Sequence, residues 1–217
     1  MTEQKSEPVL KVLIVGDLGT GKTSIVKRYV ENYFSEYYKA TIGCDFALKV
    51  LKWTDDQVIR LQLWDISGHE RLGSLTRIYY KDAVGCLLVF DMHKPTTFDG
   101  VLKWKNDLDN KVQLSDGTLL PCVLLANKCD LPKQDIVTDI EQMDDFCRVN
   151  GICKWFETSA KKNLNIETSI RYLIGQIMKN ENQIENKPNR SDTLNIRYDE
   201  KLTKSKNKIG CCTPATR

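Results

Sequence analysis

The stretch Val9-Leu10-Lys11-Val12-Leu13-Ile14-Val15-Gly16-Asp17-Leu18-Gly19-Thr20-Gly21-Lys22-Thr23 decides how this chain folds. It opens on apolar residues rich in β-branching, interrupted only by Lys11, and the run stops at Gly16, which reads as a strand. From Lys22 to Asn32, residues Ile25, Val26, Tyr29 and Val30 share one face at helical spacing. Between strand and helix lies the pattern G-x-x-x-x-G-K-T. Its glycines let backbone N–H groups curl around an anion, and the helix N-terminus adds a positive field. In that setting Lys22 is placed to reach the β- and γ-phosphates of a nucleotide, and Thr23 to offer its hydroxyl to Mg²⁺. The expected phosphate contacts run along Gly16, Asp17, Leu18, Gly19, Thr20, Gly21, Lys22 and Thr23.

Outward from that loop, strand and helix alternate. Residues 46–53 and 57–64 read as strands joined by a turn at Thr54-Asp55-Asp56, and in the second Ile59, Leu61 and Leu63 alternate with Arg60 and Gln62. Residues 84–90 and 119–126 are continuous apolar runs, the mark of strands buried on both faces of a parallel sheet. A sixth, shorter strand is expected at 155–158, and helices near 75–82, 96–112, 139–149 and 163–179. The last carries Ile166, Ile170, Leu173, Ile174 and Ile177 on one face. The alternation predicts an α/β fold: three layers around a six-stranded, mostly parallel sheet with one antiparallel hairpin strand. After Lys179 the text becomes polar, so the expected organisation is a flexible N-terminus at 1–8, a domain at 9–180 and a flexible basic tail at 181–217.

Composition agrees. The 217 residues are 41% hydrophobic and 28% charged, enough material for a core. No uncharged apolar run nears the ~18 residues of a spanning helix. The net charge of +3, from 32 basic and 29 acidic residues, is too mild for a nucleic-acid binder. It is unevenly placed: residues 188–217 hold 7 basic and 3 acidic, leaving 25 and 26 in residues 1–187. The N-terminus leads into no apolar signal core, and Thr2 in place of Gly excludes N-myristoylation. Eight cysteines without a C-x-x-C pair, beside only His69 and His93, argue against zinc. Most of the cysteines read as small buried residues in a reducing cytosol.

The base is named further along. The run 119–126 leads into Asn127-Lys128-Cys129-Asp130. A carboxylate at a strand end accepts from the N1–H and N2–H₂ of guanine, a donor pair that adenine lacks. Just past the next strand, Glu157-Thr158-Ser159-Ala160-Lys161 places Ala160 to donate its N–H to the guanine carbonyl and Lys161 to cover the ring. Both motifs sit at successive strand ends, where ligands of open α/β sheets bind.

With Asp65-Ile66-Ser67-Gly68 added, the set resembles the Ras-like G domain of the small GTPases, a P-loop NTPase fold, over about residues 9–180. Ile42-Gly43-Cys44-Asp45-Phe46, Arg60-Leu61-Gln62-Leu63-Trp64, Tyr79-Tyr80-Lys81-Asp82-Ala83 and Leu88-Val89-Phe90-Asp91 are similar to the Rab branch. Phe46-Ala47-Leu48-Lys49-Val50-Leu51 and Trp104-Lys105-Asn106-Asp107-Leu108-Asp109 resemble the Rabs of lysosome-related organelles and phagosomes. The resemblance implies GTP/GDP and Mg²⁺ as ligands, with Thr23, Thr41 and Asp65 at the metal. It implies γ-phosphate sensing by Thr41 and Gly68, and guanine contacts from Phe34, Asn127, Lys128, Asp130, Ser159, Ala160 and Lys161. Phe46, Trp64 and Tyr79 would form an effector surface. It also implies a monomer in the cytosol and on the cytoplasmic face of endosomal, lysosome-related or phagosomal membranes. Its partners would be effector proteins, an exchange factor, a GTPase-activating protein and a GDP-dissociation inhibitor or escort protein.

Two departures stand out. The family's catalytic glutamine follows Gly68; here that residue is His69. An imidazole differs from an amide in reach and angle and gains charge near its reference pKa of about 6.5, so slow hydrolysis is expected, with Lys22, Gly68 and His69 as the catalytic group. Ser67 stands where the family usually has Ala, and Leu18 where many relatives have Gly. At the other end, Lys201, Lys204, Lys206 and Lys208 precede Cys211-Cys212, but five residues follow the pair and no C-a-a-X box exists. Prenylation of Cys211 and Cys212 is expected from the resemblance, with the basic stretch supporting membrane attachment. Two other readings stay open: a mainly GTP-bound effector-recruiting module with negligible hydrolysis, and a P-loop kinase, against which Asp130 with Lys161 argues.

Overall fold

The structure is a computed structural model, and it describes residues 7–69, 76–132 and 140–185. The elements in order are β1 (Val9–Val15), α1 (Lys22–Glu31), β2 (Cys44–Lys52), β3 (Val58–Ile66), α2 (Thr76–Tyr80), β4 (Gly85–Asp91), α3 (Pro95–Lys111), β5 (Cys122–Asn127), α4 (Ile140–Val149), β6 (Lys154–Thr158) and α5 (Ile166–Glu185). They build one six-stranded sheet in the order β2-β3-β1-β4-β5-β6. Only β2 runs antiparallel to its neighbour, with Phe46 opposite Trp64. The order reverses between β3-β1 and β1-β4, which opens the crevice at the strands' C-terminal ends where the phosphate loop sits.

Alternation along the central strands divides the core in two. Leu10, Val12 and Ile14 of β1 with Leu87 and Val89 of β4 face α1 and α5, against Ile25, Tyr29, Ile170 and Ile174. Leu13 and Val15 with Cys86, Leu88 and Phe90 face the other layer, against Val101, Trp104 and Leu108 of α3 and Met143 of α4. Every residue of β4 and β5 is buried, as their unbroken apolar text required. In β3, by contrast, Ile59 and Leu61 are buried while Arg60 is exposed.

Several boundaries differ from the sequence reading. β5 begins at Cys122 and not at 119, because Pro121 has no N–H for the ladder and Leu119 is exposed. α2 ends at Tyr80, followed by Asp82 in a left-handed conformation, φ 58°. α5 continues past Lys179 to Glu185, since Glu and Gln sustain a helix after the apolar periodicity has ended. Among the described cysteines, Cys86, Cys122 and Cys147 are buried and Cys153 is exposed, an exception to the buried reading. Burial pushes the Cys147 thiol up to about 12, so it is a packing residue and not a nucleophile at neutral pH. No helix among the described residues is long and apolar enough to cross a membrane.

Candidate functional site

The turn from β1 into α1 needs its glycines for space as much as for conformation. A Cβ on Gly16 would meet the Val89 carbonyl oxygen at 2.0 Å, and one on Gly21 would meet the Asn127 amide nitrogen at 2.4 Å. Gly21 also holds φ 94° as the N-cap of α1. Lys22, only 6% exposed, folds back over the loop and donates to the carbonyls of Gly16 at 2.8 Å and Asp17 at 3.0 Å. Burial pushes its ammonium down to about 8, opposed by the carboxylates of Asp65 and Asp17. A cation held on backbone carbonyls inside a crevice is prepared to move onto phosphate oxygens.

Beside it three oxygen donors converge. The Thr23 hydroxyl lies 2.8 Å from that of Thr41 and hydrogen-bonds the Asp65 carboxylate, to which the Thr41 hydroxyl also donates at 3.4 Å. Asp65 Oδ1 is buried and has no partner. Burial raises the carboxyl's pKa, with the Thr23 hydroxyl and the Lys22 charge opposing. Hard oxygen donors and an orphaned carboxylate oxygen fit Mg²⁺, which Thr23, Thr41 and Asp65 would hold. Bound there, the ion would offset charge on the phosphates. Gly68 closes this end: a Cβ on it would meet the Leu18 backbone nitrogen at 2.4 Å, so only glycine brings this N–H so close to the phosphate loop.

At the other end the residues expected to read the base lie close together. Ser159 donates to Asp130 Oδ1 at 2.5 Å, fixing the carboxylate. The Asn127 amide donates to the Thr20 carbonyl at 2.8 Å and so ties the two nucleotide motifs together. Thr20, Asn127, Ser159 and Ala160 are all buried. Phe34 packs at the edge of the α1–α5 core. One cavity of about 690 Å³ unites the two ends, lined by Gly21, Lys22, Thr23, Phe34, Thr41 and Gly68 with Lys128, Asp130, Ala160 and Lys161. Lys161 bridges its mouth to Glu36 at 2.7 Å. His69 does not line it. That residue is exposed, and it borders a neighbouring cleft of about 420 Å³ together with Asp17, Leu18, Gly68 and Lys94.

Phe46 and Trp64 meet edge to face, with ring centroids 5.5 Å apart, and Phe46 is half exposed. Trp64 and Tyr79 pack at the margin of the α3-side core. Cys211 and Cys212 lie outside the described residues.

Sequence reasoning missed several supports. Trp104 of α3 is fully buried and donates its indole N–H to Asp17 Oδ1 at 2.8 Å. Gly100, one turn earlier, leaves room for that carboxylate; a Cβ there would meet Asp17 Oδ2 at 2.3 Å. Arg28 of α1 donates to the Ala160 carbonyl at 2.8 Å. Asp91, which ends the apolar strand β4, holds Lys128 at 2.7 Å. The signal for Asp91 was present: a carboxylate closing an all-apolar strand has to be there for a partner.

A family model described as the Ras family matches residues 11–179. The chain is 52% identical to the Ras-related protein Rab-32 of Homo sapiens over 206 residues, covering 95% of this chain and 90% of that protein. It is 54% identical to Rab-32A of Dictyostelium discoideum over 180 residues, 82% of each chain. To Rab-7L1 of Homo sapiens it is 51% identical over 172 residues, 79% of this chain and 84% of the other. The match to the family model and the likeness over most of its length, on a fold whose phosphate loop lines the main cavity, place this chain in the Ras family, among its Rab GTPases, enzymes that hydrolyse GTP.

Proposed function

We propose that this GTP-binding switch of membrane traffic hydrolyses GTP slowly and dwells in its GTP-bound form on the cytoplasmic face of an endosomal, lysosome-related or phagosomal membrane. The observation that carries the reading is the single cavity of about 690 Å³ joining Lys22, Thr23 and Thr41 to Asp130 and Ala160. In it, the guanine donors face Asp130 while Lys22 takes the β- and γ-phosphates. Thr41 and Gly68 contact the γ-phosphate, so its loss releases the segments on either side of Asp65, the order–disorder change that partners read. Phe46, Trp64 and Tyr79 form the surface an effector reads. An exchange factor, an activating protein and an inhibitor or escort protein act on the same segments.

Slow turnover follows from His69. Catalysis of hydrolysis is mainly positioning of the attacking water, and the imidazole of His69, which borders the adjoining cleft, differs from an amide in reach and angle. The same observation favours a second reading, an effector-recruiting module with negligible hydrolysis. Single-turnover GTP hydrolysis by wild type and His69→Gln decides between them and tests the proposal. The slow switch predicts measurable wild-type turnover, accelerated at least about tenfold by His69→Gln. Equal rates overturn the role of His69, and turnover at the solution rate supports the module. The nucleotide carried through purification adds an independent check: GDP fits a switch, GTP a module, and ATP would revive the kinase reading. Attachment through Cys211 and Cys212, aided by the lysines before them, predicts prenyl additions in the intact mass of protein made in eukaryotic cells.

A further inference from the structure

His93 does not line the nucleotide cavity, yet it stands against the segment that carries Asp130. It follows β4 closely, and its side chain is 16% exposed. Nε2 lies 2.6 Å from the carbonyl oxygen of Pro132. A carbonyl only accepts, so in the neutral ring Nε2 carries the proton. Nδ1 is then a lone pair, and it is buried with no hydrogen-bond partner, 3.6 Å from Asp91 Oδ1. Two acceptors facing each other out of water are unfavourable. A proton on Nδ1 turns that contact into a charge-assisted bond.

Asp91 is the hub. It is 2% exposed, its Oδ1 accepts the His93 backbone N–H at 2.9 Å, and its Oδ2 accepts from Lys128 at 2.7 Å. Its own backbone N–H is held by Thr97 of α3 at 3.0 Å. The segment 128–132 is therefore fastened to the end of β4 twice, at Lys128 through Asp91 and at Pro132 through His93. Asp130 lies between the two fastenings. Among the described residues, Asp91 of β4 lies 3.6 Å from Nδ1 of the ring, and Lys128 of the segment pairs with the same carboxylate. Thr97 adds a neutral hydroxyl, and Lys94 points elsewhere, its ammonium 4.0 Å from where a Cβ on Gly19 would lie.

We propose that His93 is a positioning residue for guanine recognition, which clamps segment 128–132 to β4 and clamps it more tightly when the imidazole is protonated. The inference rests on Asp130 as the guanine-binding carboxylate. It makes the residence time of the nucleotide longer at lower pH.

The test is release of N-methylanthraniloyl-GDP from the full chain with Mg²⁺ present, measured between pH 8 and pH 6, for wild type, His93→Gln, His93→Ala and Asp130→Ala. Gln keeps a donor directed at Pro132 but does not titrate. Every other group is common to wild type and His93→Gln, so the ratio of those two rates isolates His93. We expect wild-type release to slow relative to His93→Gln by about three- to tenfold from pH 8 to pH 6, the yield of one partly buried charge-assisted bond. His93→Ala should release faster than His93→Gln at every pH. Parallel profiles for wild type and His93→Gln overturn the proposal, as does equal release from Ala and Gln. Asp130→Ala separates the two layers of the argument. If it retains GDP as well as wild type, the guanine reading fails and this proposal falls with it. If it loses GDP while the wild-type profile stays parallel, only the role of His93 falls.

Discussion

Lys22 shows how a residue's environment becomes a measurable quantity. Its ammonium sits at about 8 in the open site, below the ordinary 10.5, because burial outweighs the nearby carboxylates. The sign follows: the unfolded chain holds this proton more tightly than the folded one. Lys22 therefore weakens the nucleotide-free fold near neutrality, and stability rises as pH climbs from about 8 toward 10.5. Phosphate oxygens restore the charge. GDP binding at about pH 8.5 should accordingly take up a proton, and the uptake should vanish near pH 7. Calorimetry in two buffers of different ionisation enthalpy reads this directly. Ser159 supports a second expectation. Its hydroxyl is the donor that fixes Asp130, so Ser159→Ala should speed GDP release about tenfold without unfolding the domain, as stopped-flow would record. Both residues were legible as motif members. His93 was not, because what recruits it is contact with Pro132 on another loop, and no spacing rule encodes that contact.

At the scale of elements, α3 does more than cover the sheet. Its Trp104 reaches Asp17 of the phosphate loop. One turn on, Asp107 accepts the Tyr80 hydroxyl at 3.1 Å, while Lys111 donates to Thr76 at 2.7 Å and pairs with Asp107 at 2.5 Å, so the same helix also holds α2. Trp104→Phe removes a buried hydrogen bond and leaves a small cavity, and should cost about 2 kcal/mol in urea unfolding of the GDP-bound protein. If the link matters for the loop, GDP release also accelerates. Strand type was readable because burial on both faces writes an unbroken apolar run into β4 and β5. Ends were less so: β2 starts at Cys44 because pairing with Ile66 continues past the point where apolar alternation stops.

The whole molecule divides by charge. Residues 1–187 balance to −1 and residues 188–217 carry +4, from 25 against 26 and 7 against 3 charged groups. The nucleotide-binding part needs no basic excess, since it meets its anion with backbone N–H groups and Lys22. A chain ending at Asn186 should keep full-length GDP affinity, because every described site residue precedes that point. Vesicles containing phosphatidylserine should retain the full chain and not the shortened one, with retention lost at high salt. The sequence by itself determined the fold class, the phosphate loop, the base and the odd residue after Gly68, because each is written in local spacing along a strand–turn–helix unit. Tertiary structure alone decided that His69 borders a cleft adjoining the main cavity, that Asn127 joins its loop to the phosphate loop, and that Asp91 and His93 stand behind the segment that carries Asp130. Those relations depend on which strand ends become neighbours in the sheet. That is settled by the order β3-β1-β4-β5, in which residues far apart along the chain come to share one crevice.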